Sequence, residues 1–177
     1  MVAAEGWQHR ADAMRWTDPR VLAGGSVAVV ALAAPVVMHW EGLENDPYKD
    51  IVGVTTVCYG ETKGVEQRRY TDAECAEMLM RRLHGFEAEV GRCVPAEAPV
   101  HVKAAVLSWA YNVGSEAACN STLMRKLQAG DIAGACAELD RWVMAGGKRV
   151  QGLANRRRDE RALCEGRGAV ATLGARG

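Results

Sequence analysis

The chain has 177 residues, 49% of them hydrophobic, and its 22 Lys and Arg residues balance its 22 Asp and Glu residues. This length can bury the core of one domain with a short additional lobe, and the even charge gives no global indication of a nucleic-acid partner. Six dispersed cysteines without a CxxC pair favour disulfides in an oxidising compartment over a zinc or redox site. Reduced core thiols are the alternative, and the pairing is open.

A polar lead, residues 1–20, precedes an uncharged apolar run, residues 21–38, and Met14 is an alternative start. Eighteen residues are near the lower limit for crossing a bilayer, and half of them are Ala, Gly, Ser or Pro, so membrane insertion is weak. We interpret the run as a marginal, temporary membrane anchor. A cleaved signal peptide and a buried helix are the alternatives, and Gly24, Gly25 and Pro35 argue against the helix.

Residues 39–62 begin like the end of a helix and continue with turn and strand signals. Asn45, Asp46 and Pro47 predict a turn, and the β-branched residues that follow predict one or two short strands with a bend at Gly53. The strand alternation places Thr56 on one face, so that it can share a cleft with the preceding helix end.

The remainder reads as helices separated by glycine and proline. Thr71 and Glu74 form a capping box, which predicts the start of the first of these helices. The further predicted starts are Pro99, Ser121 or Thr122, Asp131 for a helix to about residue 145, and Asn155 for a last helix to about residue 166. The predicted fold class is α+β, mostly helical, with a small β-hairpin lobe and a larger helical lobe.

The last part of the chain is locally basic, with eight Lys and Arg against three acids in residues 141–167. Such an end can attract a polyanion, of which the bacterial cell wall is one. The alternative is a solvated helix face with internal ion pairs.

Glu41, Asp50 and Thr56 are the candidate catalytic residues. Two carboxyl groups that flank a substrate bond are the equipment for glycoside hydrolysis, with one protonated and the other ionised. Glu41 follows an apolar segment that would raise its pKa, which suits the acid, and Asp50 lies beside Lys49, which favours its charged form. Thr56 can help Asp50 to hold a water. Among 22 acids, such a spacing also arises by chance.

Four segments, residues 41–62, 108–126, 129–147 and 152–164, resemble in order the phage-type lysozymes of glycoside hydrolase family 24. The resemblance spans about residues 39–165. It implies a lysozyme-like fold and an inverting muramidase that cuts the β-1,4 bond between N-acetylmuramic acid and N-acetylglucosamine in peptidoglycan, for host lysis at the end of the phage cycle. It also implies Glu41 as general acid, Asp50 as the water-directing carboxylate and Thr56 as its helper.

The same resemblance implies a substrate-binding set on the helical lobe and no cofactor or metal. The set is Asn112, Gly114, Asn120, Ser121 and Thr122. Glu61 departs from the family pattern, because relatives commonly have a histidine there as structural support. As a third carboxylate, Glu61 either raises the pKa of a neighbour or points outward.

The apolar run resembles the signal-anchor-release segment of some of these endolysins. This implies an enzyme that is tethered and inactive at the host inner membrane, then released and active in the periplasm. The expected organisation is a lead (residues 1–20), an anchor (21–38), a catalytic domain (39–166) and a flexible tail (167–177). The expected partners are peptidoglycan and, transiently, the inner membrane, without nucleic acid, and the active form is expected to be a monomer.

Two other function classes stay open from the sequence. One is a non-catalytic cell-wall-binding protein that uses the basic end on a degenerate lysozyme fold. The other is a membrane-permeabilising protein in which residues 21–38 are the active part.

Overall fold

The apolar run folds into a helix in the computed structural model, which describes residues 25–50 and 53–167. Helix α1 (Gly25–Glu41) passes the predicted boundary at residue 38 and ends at the candidate acid. Its buried face consists of Val29, Val30, Ala33, Ala34, Val36 and Val37. Residues 21–24 of the predicted anchor lie outside the described residues. Within the described part of the chain, no helix has the length and apolar character needed to cross a bilayer.

Pro35 lies inside α1, where proline usually interrupts a helix because it has no N–H and crowds the carbonyl four residues earlier. Both Pro35 and Ala31 face solvent. Water can therefore bind the Ala31 carbonyl that has lost its intrahelical partner. The expectation that Pro35 disfavours a helix here was wrong for this reason.

The small lobe is an antiparallel hairpin of β1 (Glu44–Lys49) and β2 (Thr55–Cys58). The turn predicted at residues 45–47 is wrong, since these residues lie in β1. Pro47 has no N–H for a ladder bond, and the strand pairing is irregular between Glu44 and Tyr48, as is usual where an edge strand contains proline. Gly53 has a φ of 81° and lies in the predicted bend, whereas residues 51 and 52 of the predicted strand lie outside the described residues.

The larger lobe is helical, which confirms the predicted α+β class. It contains α2 (Asp72–Val90), α3 (Val100–Val113), α4 (Ser115–Cys119), α5 (Thr122–Gln128), α6 (Ile132–Glu138), a 3₁₀ helix (Leu139–Arg141) and α7 (Gln151–Cys164). The predicted caps at Thr71, Ser121 and Asp131 each accept a backbone N–H bond, and Pro99 precedes α3 as predicted. Helix α3 is central, because α1, α2 and α7 all pack against it.

Two predicted helix boundaries near the end of the chain are wrong. Helix α6 ends at Glu138, and a hairpin of β3 (Met144–Ala145) and β4 (Lys148–Arg149) follows. The intervening Gly146 and Gly147 have φ values of 55° and 75°, so they form the tight hairpin turn and do not end a helix. Helix α7 begins at Gln151, so Asn155 lies inside it and accepts a bond from the Gln151 side chain at 3.0 Å.

All six cysteines form disulfides, as predicted. The pairs are Cys58–Cys75, Cys93–Cys119 and Cys136–Cys164, with Cα–Cα distances of 5.0 to 5.7 Å. The first joins β2 to α2 and the third joins α6 to α7. Cross-links that close loops of this size each stabilise a fold by about 3 kcal/mol in the chain-entropy account.

Candidate active site

Glu41 is the last residue of α1 and is followed by Gly42, whose φ of 75° turns the chain toward the hairpin. The Glu41 side chain is 24% exposed, and its Oε1 accepts a bond from Nη1 of Arg156 at 2.7 Å. The apolar setting expected for this carboxyl is therefore wrong. Its immediate partner is a guanidinium from α7.

Arg156 is 4% exposed and joins three helices at the site. It donates to Glu41 on α1, to the Ser108 carbonyl on α3 at 3.3 Å, and to Oε1 of Glu160 on α7 at 3.0 Å. The Ser108 hydroxyl donates to the same Glu160 oxygen at 2.9 Å. Burial raises the pKa of the Glu160 carboxyl, and the guanidinium groups of Arg157 and Arg156 oppose that shift.

Asp50 and Thr56 come together around Val54 in the loop of the hairpin. Oδ1 of Asp50 accepts from the Val54 N–H at 2.8 Å, and the Asp50 N–H donates to the Val54 carbonyl at 2.9 Å. The Thr56 hydroxyl, in a residue that is 5% exposed, donates to the same carbonyl at 3.2 Å. The loop therefore fixes one Asp50 oxygen and the Thr56 hydroxyl in one small region.

Tyr111 lies between the two lobes. Its hydroxyl donates to the Tyr59 carbonyl at 3.1 Å. Burial raises the pKa of Tyr111 to about 12, with Arg82 opposing the shift and Glu41 and Glu61 adding to it. The phenol is thus protonated across the physiological range, and it lies within electrostatic reach of both carboxylates.

Comparisons with known proteins agree on one family. The sequence profile described as Phage lysozyme matches residues 38–160. The SAR-endolysin of bacteriophage PS119 is 38% identical over 157 residues, which cover 86% of this chain and 94% of that protein. The SAR-endolysin of Escherichia phage Mu is 40% identical over 150 residues, 84% and 88% of the two chains. A solved mutant of P22 lysozyme is 26% identical, with a TM-score of 0.69, and the match covers 75% of this chain and 94% of that one.

The chain belongs to the phage lysozyme family. It is accordingly a glycosidase of the muramidase type, and peptidoglycan is its substrate. The similarity to the solved structure of the P22 lysozyme mutant confirms the lysozyme-like fold that was inferred from the sequence. The matched residues include the end of α1, the hairpin and the helices that hold Arg156.

Glu61 does not point outward in this phage lysozyme. Its Oε1 accepts from the N–H groups of Thr62 and Lys63 at 2.8 and 2.9 Å and lies 3.3 Å from Nη1 of Arg82. The Glu61 side chain is 16% exposed. It therefore faces α2, and its charge has a partner.

The predicted substrate-binding residues on the helical lobe differ in the contacts that they make within the protein. Asn112 is exposed, and its Oδ1 accepts from Arg157 at 3.0 Å. Gly114, with a φ of 92°, ends α3. The Asn120 side chain donates to the Glu116 carbonyl at 3.1 Å.

Ser121 and Thr122, the last two of that set, lie at the start of α5. Ser121 is buried, and its hydroxyl both caps α5 through the Met124 N–H and donates to the Ala118 carbonyl. Thr122 is exposed, and its hydroxyl accepts from Arg125 at 2.7 Å.

Arg156 is the residue of the candidate site that was not predicted from the sequence. The basic run was interpreted as a surface charge, whereas Arg156 and Arg157 are buried. A signal was present, because Glu160 follows Arg156 by four residues and therefore lies on the same face of a helix. The rest of the run forms mostly ion pairs, as the alternative interpretation held: Arg161, for example, pairs with Asp140 and Glu165.

Proposed function

We propose that this phage lysozyme cleaves the β-1,4 bond between N-acetylmuramic acid and N-acetylglucosamine with Glu41 as the general acid. The observation that carries this assignment is the Arg156 contact, which fixes Oε1 of Glu41 at the end of α1. We assign the donated proton to Oε2. A carboxyl held on one side in this way presents its other oxygen in a defined direction, as proton transfer to a leaving oxygen requires.

Asp50 is assigned to direct the attacking water, with Thr56 as a second contact for that water. The Val54 N–H engages one oxygen of Asp50, and the hydroxyl of Thr56 is held 3.2 Å from the Val54 carbonyl. Water attack on the face opposite the leaving group inverts the anomeric centre. Inverting enzymes place their two carboxyl groups about 6.5–9.5 Å apart to accommodate that water.

The replacement Glu41→Gln tests the assignment, because it keeps the contact with Arg156 and removes the transferable proton. We expect the release of reducing sugar from purified peptidoglycan to fall by about 10²–10⁴-fold, the usual contribution of a general acid. Glu44→Gln is the matched control, since Glu44 is an exposed carboxylate three residues along the chain. Unchanged hydrolysis by Glu41→Gln would refute the assignment, and binding to cell walls without release of sugar by the unmodified protein would favour a non-catalytic binder.

We also propose that residues 21–38 tether the enzyme to the host inner membrane before α1 folds into the core, after which the enzyme acts in the periplasm as a monomer. Two observations support this. Several relatives carry the name SAR-endolysin. In addition, the face of α1 that is turned to solvent is itself apolar, with Ala28, Ala31, Leu32 and Pro35. A helix that is apolar on all sides is typical of a membrane span and not of a surface helix.

The replacements Ala28→Leu and Ala31→Leu, made together, test this tethering. Both positions are exposed on α1, so the substitutions raise the affinity of the segment for lipid without disturbing the core. We expect a larger membrane-bound fraction and delayed lysis, with unchanged activity of the released enzyme. The paired serine substitutions are the control. An unchanged distribution between membrane and periplasm in the leucine variant would contradict the proposal.

A further inference from the structure

Glu61 closes a tight turn that directly follows β2. The backbone groups of Val57 and Glu61 bond to each other in both directions, at 3.0 and 2.9 Å. Within this turn, Cys58 has a φ of 59°, which is unfavourable for a residue with a side chain, and Gly60 has a φ of 86°. Such a backbone persists only where its surroundings hold it in place.

The Arg82 guanidinium supplies part of that support from α2. Its Nη1 lies 3.3 Å from Oε1 of Glu61 and 3.5 Å from the Gly60 carbonyl. Its Cζ lies 5.4 Å from the ring centre of Tyr111 and 5.8 Å from that of Phe86. Arg82 thus has a carboxylate on one side and two aromatic rings within cation–π range.

Tyr111 reaches the same turn from α3, through its bond to the Tyr59 carbonyl. Ser108, which accepts a bond from the Arg156 that holds Glu41, lies on the same helix three residues earlier. Residues three apart on a helix are neighbours on one face. One turn of α3 is therefore linked both to the candidate acid and to the strand that carries Thr56.

We propose that the Glu61–Arg82 ion pair, together with Tyr111, is a positioning device that sets the hairpin bearing Asp50 and Thr56 relative to Glu41. This inference rests on the proposed function. Glu61 and Arg82 are positioning residues, because their contacts lie within the protein and their effect on the reaction passes through the strand that carries Thr56.

The other attachments of the hairpin lie near the start of α2 and cannot alone fix this orientation: they include the disulfide and the bonds that Asn45 of β1 donates to the Tyr70 carbonyl at 3.0 Å and to Asp72 at 2.9 Å. Cys75 joins β2 to the first turn of α2, and Arg82 lies seven residues farther along that helix. Seven residues of α-helix correspond to about 10 Å. Attachments confined to the start of α2 would let the hairpin pivot over the helix, whereas a further attachment about 10 Å away along the helix opposes the pivot.

A double-mutant cycle on kcat tests the device with mild substitutions. Glu61→Gln keeps an acceptor oxygen for the Thr62 and Lys63 N–H groups and removes the charge that pairs with Arg82. Arg82→Gln removes the other charge. We expect each single variant to lower kcat on peptidoglycan about tenfold with KM changed less than twofold, and the double variant to be no slower than either single variant, because residues in one ion pair couple.

Arg81→Gln is the matched control. Arg81 is the neighbouring residue on α2, its side chain is 64% exposed, and its partner is Glu77 at 3.8 Å. Its kcat should be unchanged. The melting temperature of each variant is measured alongside, and activities are compared well below it, so that loss of folded protein cannot imitate a loss of kcat.

The outcomes separate this inference from the proposed function. Unchanged kcat in both single variants, additive losses in the double variant, or losses explained by the unfolded fraction would overturn the positioning role while Glu41→Gln still lowers hydrolysis by about 10²–10⁴-fold. Unchanged hydrolysis by Glu41→Gln would overturn the proposed function. Coupled losses in kcat at unchanged KM support the inference.

Discussion

Helices α1 and α7 meet at Glu41 and Arg156, but they are built from opposite kinds of residue. Helix α1 has no charged side chain before Glu41, and it exposes apolar residues to solvent, among them Leu32 at 41% exposure. Helix α7 has six charged side chains among its 14 residues, and it buries Arg156, Arg157 and Glu160. Helix α1 thus exposes apolar residues in addition to those it buries, whereas α7 buries charged residues, and both features are unusual for a helix at the surface of a protein.

The difference shows how the site can be held firmly even if, as the proposed tethering requires, α1 joins the core last. A helix of valine and alanine buries well in the core, and its residues are also tolerated by lipid, which the proposed tethering requires of α1. A buried network of two guanidinium groups and one carboxylate is stable only when all its members are present. We infer that helix α7 is the fixed reference of the site, and under the proposed tethering α1 brings Glu41 to it.

The largest expected effect comes from breaking the buried network of α7. Glu160 is fully buried between Arg156 and Arg157, with contacts of 3.0 and 2.8 Å. Glu160→Gln removes the charged partner of Arg157 and leaves Arg156 with Glu41 alone, so we expect the free energy of unfolding to fall by about 3–5 kcal/mol. Urea denaturation measures this free energy of unfolding.

Glu165→Gln is the control for that variant. Glu165 lies on the same part of the chain and pairs with Arg161 and Arg167, but at the surface. An exposed ion pair contributes about 0–1 kcal/mol. Equal losses for the two variants would show that the buried network is not the fixed reference that we infer.

The second-largest effect is expected from changing the contact between Arg156 on α7 and Glu41 on α1. Arg156→Lys keeps the positive charge but replaces a planar fork, which reaches Glu41, Glu160 and the Ser108 carbonyl, by a single ammonium group. We expect kcat to fall by about 100-fold through misplacement of Glu41, with KM nearly unchanged. Steady-state kinetics on soluble peptidoglycan fragments measure both constants, and a variant with wild-type kcat would argue against orientation of Glu41 by Arg156.

Truncating a buried side chain of α1 is expected to have a smaller effect, on the free energy of unfolding. Val37 is fully buried, and Val37→Ala removes two methyl groups, so we expect a loss of about 2 kcal/mol from the free energy of unfolding. Leu32→Ala is the control. It removes a larger group from the same helix, but one that is 41% exposed, and it should cost less. If Leu32→Ala costs more than Val37→Ala, the described face of α1 is not the one that stabilises the enzyme.

The sequence could predict the features that depend on local chemistry. The Thr71 capping box needs only two residues three apart, and the starts of α3, α5 and α6 likewise follow from Pro99, Ser121 and Asp131. The resemblance supplied the candidate acid. None of these required knowledge of which residues meet across the fold.

What could not be predicted depends on distant contacts. Arg156 lies 115 residues from Glu41, and only the packing of α1, α3 and α7 brings them together. Strand β1 was missed because Asn45, Asp46 and Pro47 favour turns locally, and pairing with β2 overrides that preference. The tertiary environment likewise determines that Glu61 faces Arg82 instead of solvent.

The smallest expected effect is that of replacing Pro35, and it bears on why α1 has its composition. A proline inside a helix costs up to about 3 kcal/mol relative to alanine, and water on the exposed Ala31 carbonyl and the stiffness of proline in the unfolded chain offset part of this. We therefore expect Pro35→Ala to raise the free energy of unfolding by about 1 kcal/mol without changing kcat.

Pro47→Ala, in the edge strand β1, should bring no such gain, because no helix is interrupted there. A stabilisation of this size, read from thermal melts, would mean that α1 is not optimised for the folded enzyme alone, which is what a segment that also resides in lipid requires. A destabilised Pro35→Ala variant would instead mean that the proline stabilises α1 in the folded enzyme.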